Sequence, residues 1–317
     1  MTSLFGPVMV LTFCLSQALR DVYFAKLFQG VDFFAVILLA FLLSTMIFGV
    51  LTSIRTPAEF AKLRDHLSTV LAMNVTTSVA WICYFFGLTH LEPSIVNTLH
   101  SGMGPLTVIF LAACGTKLAD RGAVSLLEYG CYAGIALSLI GLWWVVLSGN
   151  SGLPVESLWT GLGGLALLLV SGSSITMSLL YSKRLHDHGI NAEAVTAVRY
   201  LLIITVALSV EACRGYPSGI GSLGDLSILA AAATALIVLP TFALQIGVVR
   251  TAALTAQIIR SLGPVCVFAL EQFDHRVDYS APTLICILAY SVFVIASNFA
   301  HGWRDSPAAL VAAPVAR

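Results

Sequence analysis

Residues 32–54 read DFFAVILLAFLLSTMIFGVLTSI, and after Asp32 this stretch contains no charged residue. A helix rises 1.5 Å per residue, so about 20 apolar residues cross the ~30 Å hydrocarbon core of a bilayer. The stretch lacks the alternation of apolar and polar positions that marks a strand of a membrane β-barrel. It is therefore predicted to be a membrane-spanning helix.

The composition of the whole chain agrees with this stretch. Of the 317 residues, 58% are apolar and 10% are charged, and the formal net charge is zero. The mean hydropathy is +0.93. A soluble domain carries roughly 25% charged residues, and a nucleic-acid-binding protein needs a basic surface. The composition therefore excludes a soluble enzyme, a disordered chain and a nucleic-acid binder, and predicts an all-α integral membrane protein.

Apolar runs between polar breaks predict ten transmembrane helices joined by short loops. The predicted spans are 5–27, 32–54, 67–88, 94–115, 124–147, 158–182, 193–213, 225–248, 251–273 and 280–302. The N-terminus lacks the basic region and the cleavage site of a secretory signal, so 5–27 is predicted to be an uncleaved span.

Basic residues in the predicted loops indicate the orientation. With ten spans both termini share a side, and that side holds Arg55, Lys62, Arg64, Lys117, Arg121, Lys183, Arg184, Arg250, Arg304 and Arg317. The opposite side holds only Arg20, Lys26, Arg214 and Arg276. Because cytoplasmic loops are enriched in Lys and Arg, both termini are predicted to be cytoplasmic, in a multi-pass protein of the inner membrane.

A polar segment near the middle divides the predicted spans into two sets of five. Residues 148–157 read SGNSGLPVES and are predicted to link a first five-helix repeat, 1–147, to a second, 158–302. Residues 303–317 are predicted to form a cytoplasmic tail. An odd number of spans per repeat inverts the second repeat in the membrane, as in many secondary transporters.

The turn FGLTHLEPS at 86–94 resembles a turn of the drug/metabolite transporter superfamily, EamA type. Gly-Pro follows it at 104–105, and AVRYLL at 197–202 resembles the arginine-led start of that family's second helix in each half. This resemblance implies ten helices, a central cavity between the halves and export of small metabolites.

Ionisable groups inside predicted spans are candidates for a transport pathway because burying them in hydrocarbon is costly. Arg260 lies about 14 Å into the ninth predicted span, and Gln257 shares its helix face. A guanidinium fits a carboxylate or a phosphate, so both residues are predicted to bind substrate. The alternative for Arg260 is a structural ion pair with Glu271 or Asp21.

A second polar face is predicted on the fourth span. Asn97, His100 and Ser101 lie on it, and repeat symmetry would place them across the cavity from Arg260. They are predicted to bind substrate. His100 could also relay protons, although a hydrogen-bonded packing role is the alternative.

Two Gly-Pro pairs recur at corresponding positions of the repeats, Gly104-Pro105 and Gly263-Pro264. A proline inside a helix frees a carbonyl and loosens the backbone ladder. These four residues are predicted hinges or gates, with a static kink as the alternative.

Aromatic and charged residues on the third and first spans complete the predicted site. Trp81 and Tyr84 are predicted to line the pathway and to bind substrate. Arg20 and Asp21 are predicted either to belong to it or to form a charge group in which Glu271 is a further candidate.

The predicted function is a secondary transporter, not an enzyme, since the chain has no phosphate-binding loop and no catalytic motif. It is expected to export a small polar metabolite, either an amino acid or an amino-acid-derived carboxylate such as a metallophore, by alternating access. No cofactor, metal or nucleic acid is expected. The expected partners are the substrate and the lipid bilayer, with a proton as a candidate coupling ion, in a monomer or a homodimer.

Three alternatives stay open at this point. The first two are a nucleotide-sugar or sugar-phosphate exchanger and an importer of small solutes. The third is a membrane enzyme acting on lipids, for which the acidic cluster 274–278 is the candidate site.

Overall fold

The computed structural model describes residues 4–28, 30–116, 118, 125–214, 223–240, 243–244, 247, 250–251 and 253–304. All regular secondary structure within these ranges is helical. The predicted tail lies outside the described residues beyond Arg304, as do Lys117 and Arg121.

The described helices follow one another along the chain with short connections. They are α1 Phe5–Leu27, α2 Phe33–Arg55, α3 Glu59–Asp65, α4 Leu67–His90, α5 Pro93–Ala113, α6 Leu126–Leu147, α7 Leu158–Asp187, α8 Ala192–Arg199, α9 Leu201–Arg214, α10 Leu223–Ala233, α11 Ala253–Ser261, α12 Gly263–Glu271 and α13 Ala281–Arg304. A π-helical turn, Thr234–Val238, continues α10.

Eight helical segments of the described residues are long and apolar enough to cross a membrane. They are α1, α2, α4, α5, α6, α7, the combined α8 and α9, and residues 281–300 of α13. They coincide with predicted spans one to seven and ten. The other two spans differ: 225–248 is described only in part, and 251–273 divides at Leu262 into α11 and α12. The protein is thus an all-helical membrane protein, and ten spans remain a prediction.

Side-chain caps explain where several helices begin. Asp32, Ser157 and Asn191 each accept a hydrogen bond from a backbone N–H in the first turn of α2, α7 and α8. Ser125 and Glu128 form a reciprocal capping box at the start of α6. Each cap satisfies a donor that a helix N-terminus leaves unpaired, which matters most at a membrane boundary.

The helices pack in pairs that cross between the two halves of the chain. α4 lies along α7, α6 along α13, α2 against α8 and α9, and α5 against α7 and α12, while α1 packs on α11 and α12. Glycines allow two of these close approaches. A Cβ at Gly172 of α7 would meet the carbonyl of His100, and one at Gly134 of α6 would meet the ring of Phe293.

The outer surface is apolar, as a lipid-facing surface must be. Leu126 is 91% exposed and Trp159 81%. Polar and charged groups such as Asp21, Asn97 and Ser171 are buried instead. This distribution places the chemistry of the molecule between the helices.

The seventh predicted span is broken at Tyr200, between α8 and α9. The side chain of Asn74 on α4 bridges the break. Its Nδ2 donates to the carbonyl of Val198 at 2.8 Å, and its Oδ1 accepts from the N–H of Leu202 at 3.1 Å. An amide from a neighbouring helix thus satisfies backbone groups that the break leaves free.

The predicted linker 148–157 is fixed by hydrogen bonds to the chain before α13. The N–H of Asp278 donates to the carbonyl of Gly152 at 2.8 Å, and the hydroxyl of Ser280 donates to the carbonyl of Asn150 at 2.6 Å. The connection between the two halves is therefore packed into the structure.

Candidate functional site

The centre of the candidate site is a buried ion pair on α1. Nε and Nη2 of Arg20 donate to Oδ1 of Asp21 at 2.9 and 2.6 Å. Asp21 is 0% exposed and Arg20 6%. The pair lies about 10 Å from the end of α1, at 1.5 Å per residue, well inside the helical layer.

Residues from α4 and α5 enclose this pair. Asn97 donates to Oδ2 of Asp21 at 2.7 Å, and the Tyr84 hydroxyl lies 3.5 Å from Nη2 of Arg20. The guanidinium carbon lies 5.2 Å from the ring centroid of Trp81 and 5.6 Å from that of Tyr84. Nη1 of Arg20 has no hydrogen bond to any described residue, so part of its donor fork remains available.

His100 extends the network from α5 to α7. Its ring packs edge-on against Tyr84, with centroids 4.5 Å apart. Its Nδ1 is hydrogen-bonded to the hydroxyl of Ser171 at 2.9 Å, and that hydroxyl donates to the carbonyl of Ala80 at 2.7 Å. Because the serine proton goes to Ala80, Nδ1 carries the hydrogen and donates to Ser171.

An aromatic stack continues from the ion pair towards a second arginine. Phe41 lies between Trp81 and Tyr200, with centroid distances of 5.2 and 4.5 Å. Beside Tyr200, Arg199 donates to the hydroxyls of Ser178 and Thr77 at 3.0 and 3.4 Å. Arg199 forms no ion pair with any described acidic residue, and its guanidinium carbon also lies 6.0 Å from the ring centroid of Tyr200.

The structure brings together Trp81, Tyr84, Asn97 and His100 of the predicted substrate-binding set. Ser101 lies one turn beyond Asn97 and is half-buried.

The two residues predicted on the ninth span lie apart from this group. Arg260 is exposed and lies near Cys14 and Tyr290. No described ion pair joins it to Asp21 or Glu271. Gln257 belongs to α11, but its side chain is outside the described residues.

The predicted hinges lie on α5 and at the start of α12, and a Cβ at Gly104 would lie 3.6 Å from Oγ1 of Thr176 on α7. Pro105 lies inside α5, with Gly104 before it, whereas Gly263 and Pro264 begin α12 after the break at Leu262. Oδ1 of Asn97 lies 3.9 Å from the Cβ position of Gly263. Asn97, which binds Asp21 of the ion pair, therefore also faces the start of α12.

Glu271 does not join the Arg20–Asp21 pair. Its Oε2 accepts a hydrogen bond from the N–H of Ser94 at 2.9 Å, at the start of α5. The acid beside it is Glu92, a residue that the sequence analysis did not select.

The acidic cluster 274–278 is engaged in structural contacts. Asp274 forms an ion pair with Arg276, whose Nη1 donates to the carbonyl of Ala25 at 2.9 Å. Burial alone would raise the pKa of Asp274, but its hydrogen bonds with Arg276 outweigh burial and hold the pKa below its usual value. Among the described residues no group of acidic, histidine and cysteine side chains is arranged to hold a metal ion.

The predicted site did not include Ser171, Arg199 with its two hydroxyl partners, or Glu92. The serines and threonines carry no distinguishing signal, because hydroxyls also mediate ordinary helix contacts. Glu92 did carry one: it is an acid at the boundary between two predicted spans, in the turn that resembles the EamA family.

No family model and no curated protein matches the chain. One solved structure, described only as the crystal structure of a protein, superimposes with a TM-score of 0.63 at 15% identity. The match covers 96% of this chain and 99% of the other. At this identity the likeness shows a shared fold over nearly the full length of both chains.

Proposed function

We propose that the protein is a secondary transporter that exports a small polar metabolite, an amino acid or an amino-acid-derived carboxylate, across the inner membrane. The observation that carries this proposal is the buried Arg20–Asp21 pair beneath Trp81 and Tyr84. This group of residues places a positive charge, a negative charge and two aromatic faces next to one another.

The chemistry of this pair suits a zwitterion. The free edge of the Arg20 guanidinium can bind a carboxylate, while Asp21 can accept from an ammonium group. Trp81 and Tyr84 add aromatic faces that attract a cation. An amino acid, or a metallophore built from one, carries both a carboxylate and an ammonium group.

Helix packing supports two inverted repeats as the frame of this transporter. α2 packs on α8 and α9, α5 on α12, and α6 on α13. In the predicted numbering each contact joins a span to its counterpart five spans later, as a two-fold axis between repeats requires. The α5–α7 contact is likewise matched by the contact between α12 and α1. Alternating access would then be a rocking of the repeats about the crossing of α5 and α12.

Counterflow in liposomes tests the proposal. Purified protein is loaded with unlabelled amino acids, and uptake of each labelled amino acid is measured. Replacing Arg20→Gln together with Asp21→Asn keeps a polar amide group at both positions but removes both charges. Losing charge-assisted contacts costs about 2–5 kcal/mol, so flux at low substrate should fall by roughly 30-fold or more.

The matched control is Arg55→Gln with Glu193→Gln, an exposed ion pair that bridges α2 and α8. This variant should transport like the wild type. Equal flux in the wild type and the Arg20/Asp21 variant would overturn the assignment of the site. Counterflow only with sugar phosphates or nucleotide sugars would overturn the substrate class.

A further inference from the structure

Two acidic side chains, Glu92 and Glu271, are buried together where α5 begins and α12 ends. Glu92 is 1% exposed and Glu271 0%. Ser94 binds both of them: its hydroxyl donates to Oε1 of Glu92 and its N–H to Oε2 of Glu271, each at 2.9 Å. Both carboxyl groups are therefore held at the start of α5 by the same residue.

Glu92 also ties this place to two other segments. Its Oε2 accepts from the N–H of Gly152 at 2.7 Å and lies 3.4 Å from the hydroxyl of Thr283. The pair therefore connects α5, α12, the start of α13 and the segment that joins the two halves. In the predicted topology all of these lie at the membrane face opposite the termini.

One carboxyl oxygen of the pair lacks a hydrogen-bond partner among the described residues. Oε1 of Glu271 is completely buried and receives no hydrogen bond from any donor among the described residues. No lysine, arginine or histidine of the described chain forms an ion pair with either acid. Two adjacent carboxylates shielded from water would repel each other strongly. One proton shared between them removes this repulsion and gives the buried oxygen a hydrogen bond.

Several titratable groups of the neighbouring elements have other partners. Asp274 is paired with Arg276, Arg20 with Asp21, and His90 is hydrogen-bonded to Thr89. Other titratable groups on these elements include Lys26, Glu156, Cys266, His275, Asp278, Tyr279, Cys286 and Tyr290. Burial raises the pKa of Glu92, against the effect of its hydrogen bonds to Gly152 and Ser94.

We propose that Glu92 and Glu271 form a proton-binding site, in which one shared proton holds together the protein face formed by the starts of α5 and α13, the end of α12 and Gly152. When the proton leaves to water, the two carboxylates repel, and the contact of α12 with α5 and the hydrogen bond between Glu92 and Gly152 weaken. The site is a pH-sensitive latch whose existence does not depend on what the protein transports.

Thermal unfolding of the purified protein in detergent, followed against pH, tests this site. Burial raises the folded-state pKa of Glu92 above its unfolded value, so the folded protein binds the proton more tightly than the unfolded chain does. The stabilisation by this proton is therefore complete at low pH and is lost as pH rises through the folded-state pKa. Glu271→Gln mimics the protonated acid, because its amide can donate to Glu92 while its oxygen still accepts from Ser94.

The wild-type Tm should fall over a pH interval in which the Tm of the Glu271→Gln variant stays level. Glu156→Gln is the control, since this exposed acid lies in the same connecting segment. It should keep the wild-type dependence on pH. The same pH slope in the wild type and in Glu271→Gln would overturn the proposal.

Infrared spectroscopy gives a reading that needs no variant to fold. The wild type should show the carbonyl stretch of a protonated carboxyl group at neutral pH, and the band should disappear at alkaline pH. Its absence at neutral pH would overturn the proposal. Glu92→Gln should remove the same band, and its persistence there would assign the proton to another group.

Discussion

At the scale of residues, Arg20 and Asp21 can be selected from the sequence as site candidates, but their role is not evident from the sequence. Arg20 and Asp21 stand out as charges in an apolar run, and this pattern is compatible both with a charge pair and with a place in the pathway. Adjacent residues of a helix do not face each other, so the long arginine side chain must fold back to reach Asp21. Only α4 and α5, which bury the pair, make it the centre of the site.

Asn97 supplies a hydrogen bond that the buried carboxylate of Asp21 needs. Asn97→Ala removes this donor and leaves Oδ2 of Asp21 without it at a position shielded from water. Losing a bond to a buried charged group costs about 1–3 kcal/mol. We expect the Tm to fall accordingly in thermal unfolding, and amino-acid counterflow to weaken.

Ser101→Ala is the matched control on the same helix, since the Ser101 hydroxyl makes no hydrogen bond to any described residue. Its Tm should stay within the error of the wild type. An Asn97→Ala variant as stable as Ser101→Ala would contradict the hydrogen bond to Asp21.

At the scale of elements, the break at Tyr200 was beyond sequence reasoning, which predicted one continuous span over 193–213. Val198, Arg199 and Leu201 surround the break, and none of them is a glycine or proline that would signal it. The break depends on a tertiary contact, because Asn74 on α4 forms the hydrogen bonds that satisfy the backbone groups at the interruption. By contrast, the break before Pro264 coincides with a predicted hinge, because proline acts locally.

The bridge from Asn74 should be one of the larger polar contributions to stability. Asn74→Leu keeps a similar volume but leaves the carbonyl of Val198 and the N–H of Leu202 unpaired. Each orphaned buried group costs about 1–3 kcal/mol. We expect a clear drop in Tm, together with faster hydrogen exchange at the amides around the break.

Ser209→Ala serves for comparison, because Ser209 is exposed on α9 and bonds only to the carbonyl one turn before it. It should leave both the Tm and the exchange rates near Tyr200 unchanged. Wild-type exchange in Asn74→Leu would show that the break does not depend on α4.

At the scale of the whole molecule, the positions of the helices along the sequence could be predicted far better than which helices pack against each other. Length and apolar content determine whether a segment spans the membrane, and both are local properties. Which helices pack together depends on small residues and shape, since lipid and protein interior are equally apolar. The close approaches at Gly172 and Gly134 decide two of these pairings, and nothing in the sequence distinguishes them from other glycines.

Two native cysteines test the predicted orientation. Cys114 follows the end of α5 and Cys213 lies near the end of α9, and both are exposed. With both termini cytoplasmic, Cys213 faces outward and Cys114 faces the cytoplasm. A membrane-impermeant maleimide should therefore label Cys213 in intact cells, and Cys114 only after permeabilisation.

Serine variants assign the labels. Cys213→Ser should abolish labelling of intact cells, whereas Cys114→Ser should remove only the additional label that appears after permeabilisation. Labelling of Cys114 from outside would reverse the orientation and place the Glu92–Glu271 pair on the cytoplasmic face.

Trp81 makes the site visible by fluorescence. Its half-buried indole lies 5.2 Å from the Arg20 guanidinium, whereas Trp144 and Trp159 are 72% and 81% exposed on the outer surface. A carboxylate that binds Arg20 changes the electric field at this one indole and leaves the lipid-facing ones unaffected. The emission of unlabelled protein can therefore report which metabolites bind, before any of them has been followed across a membrane.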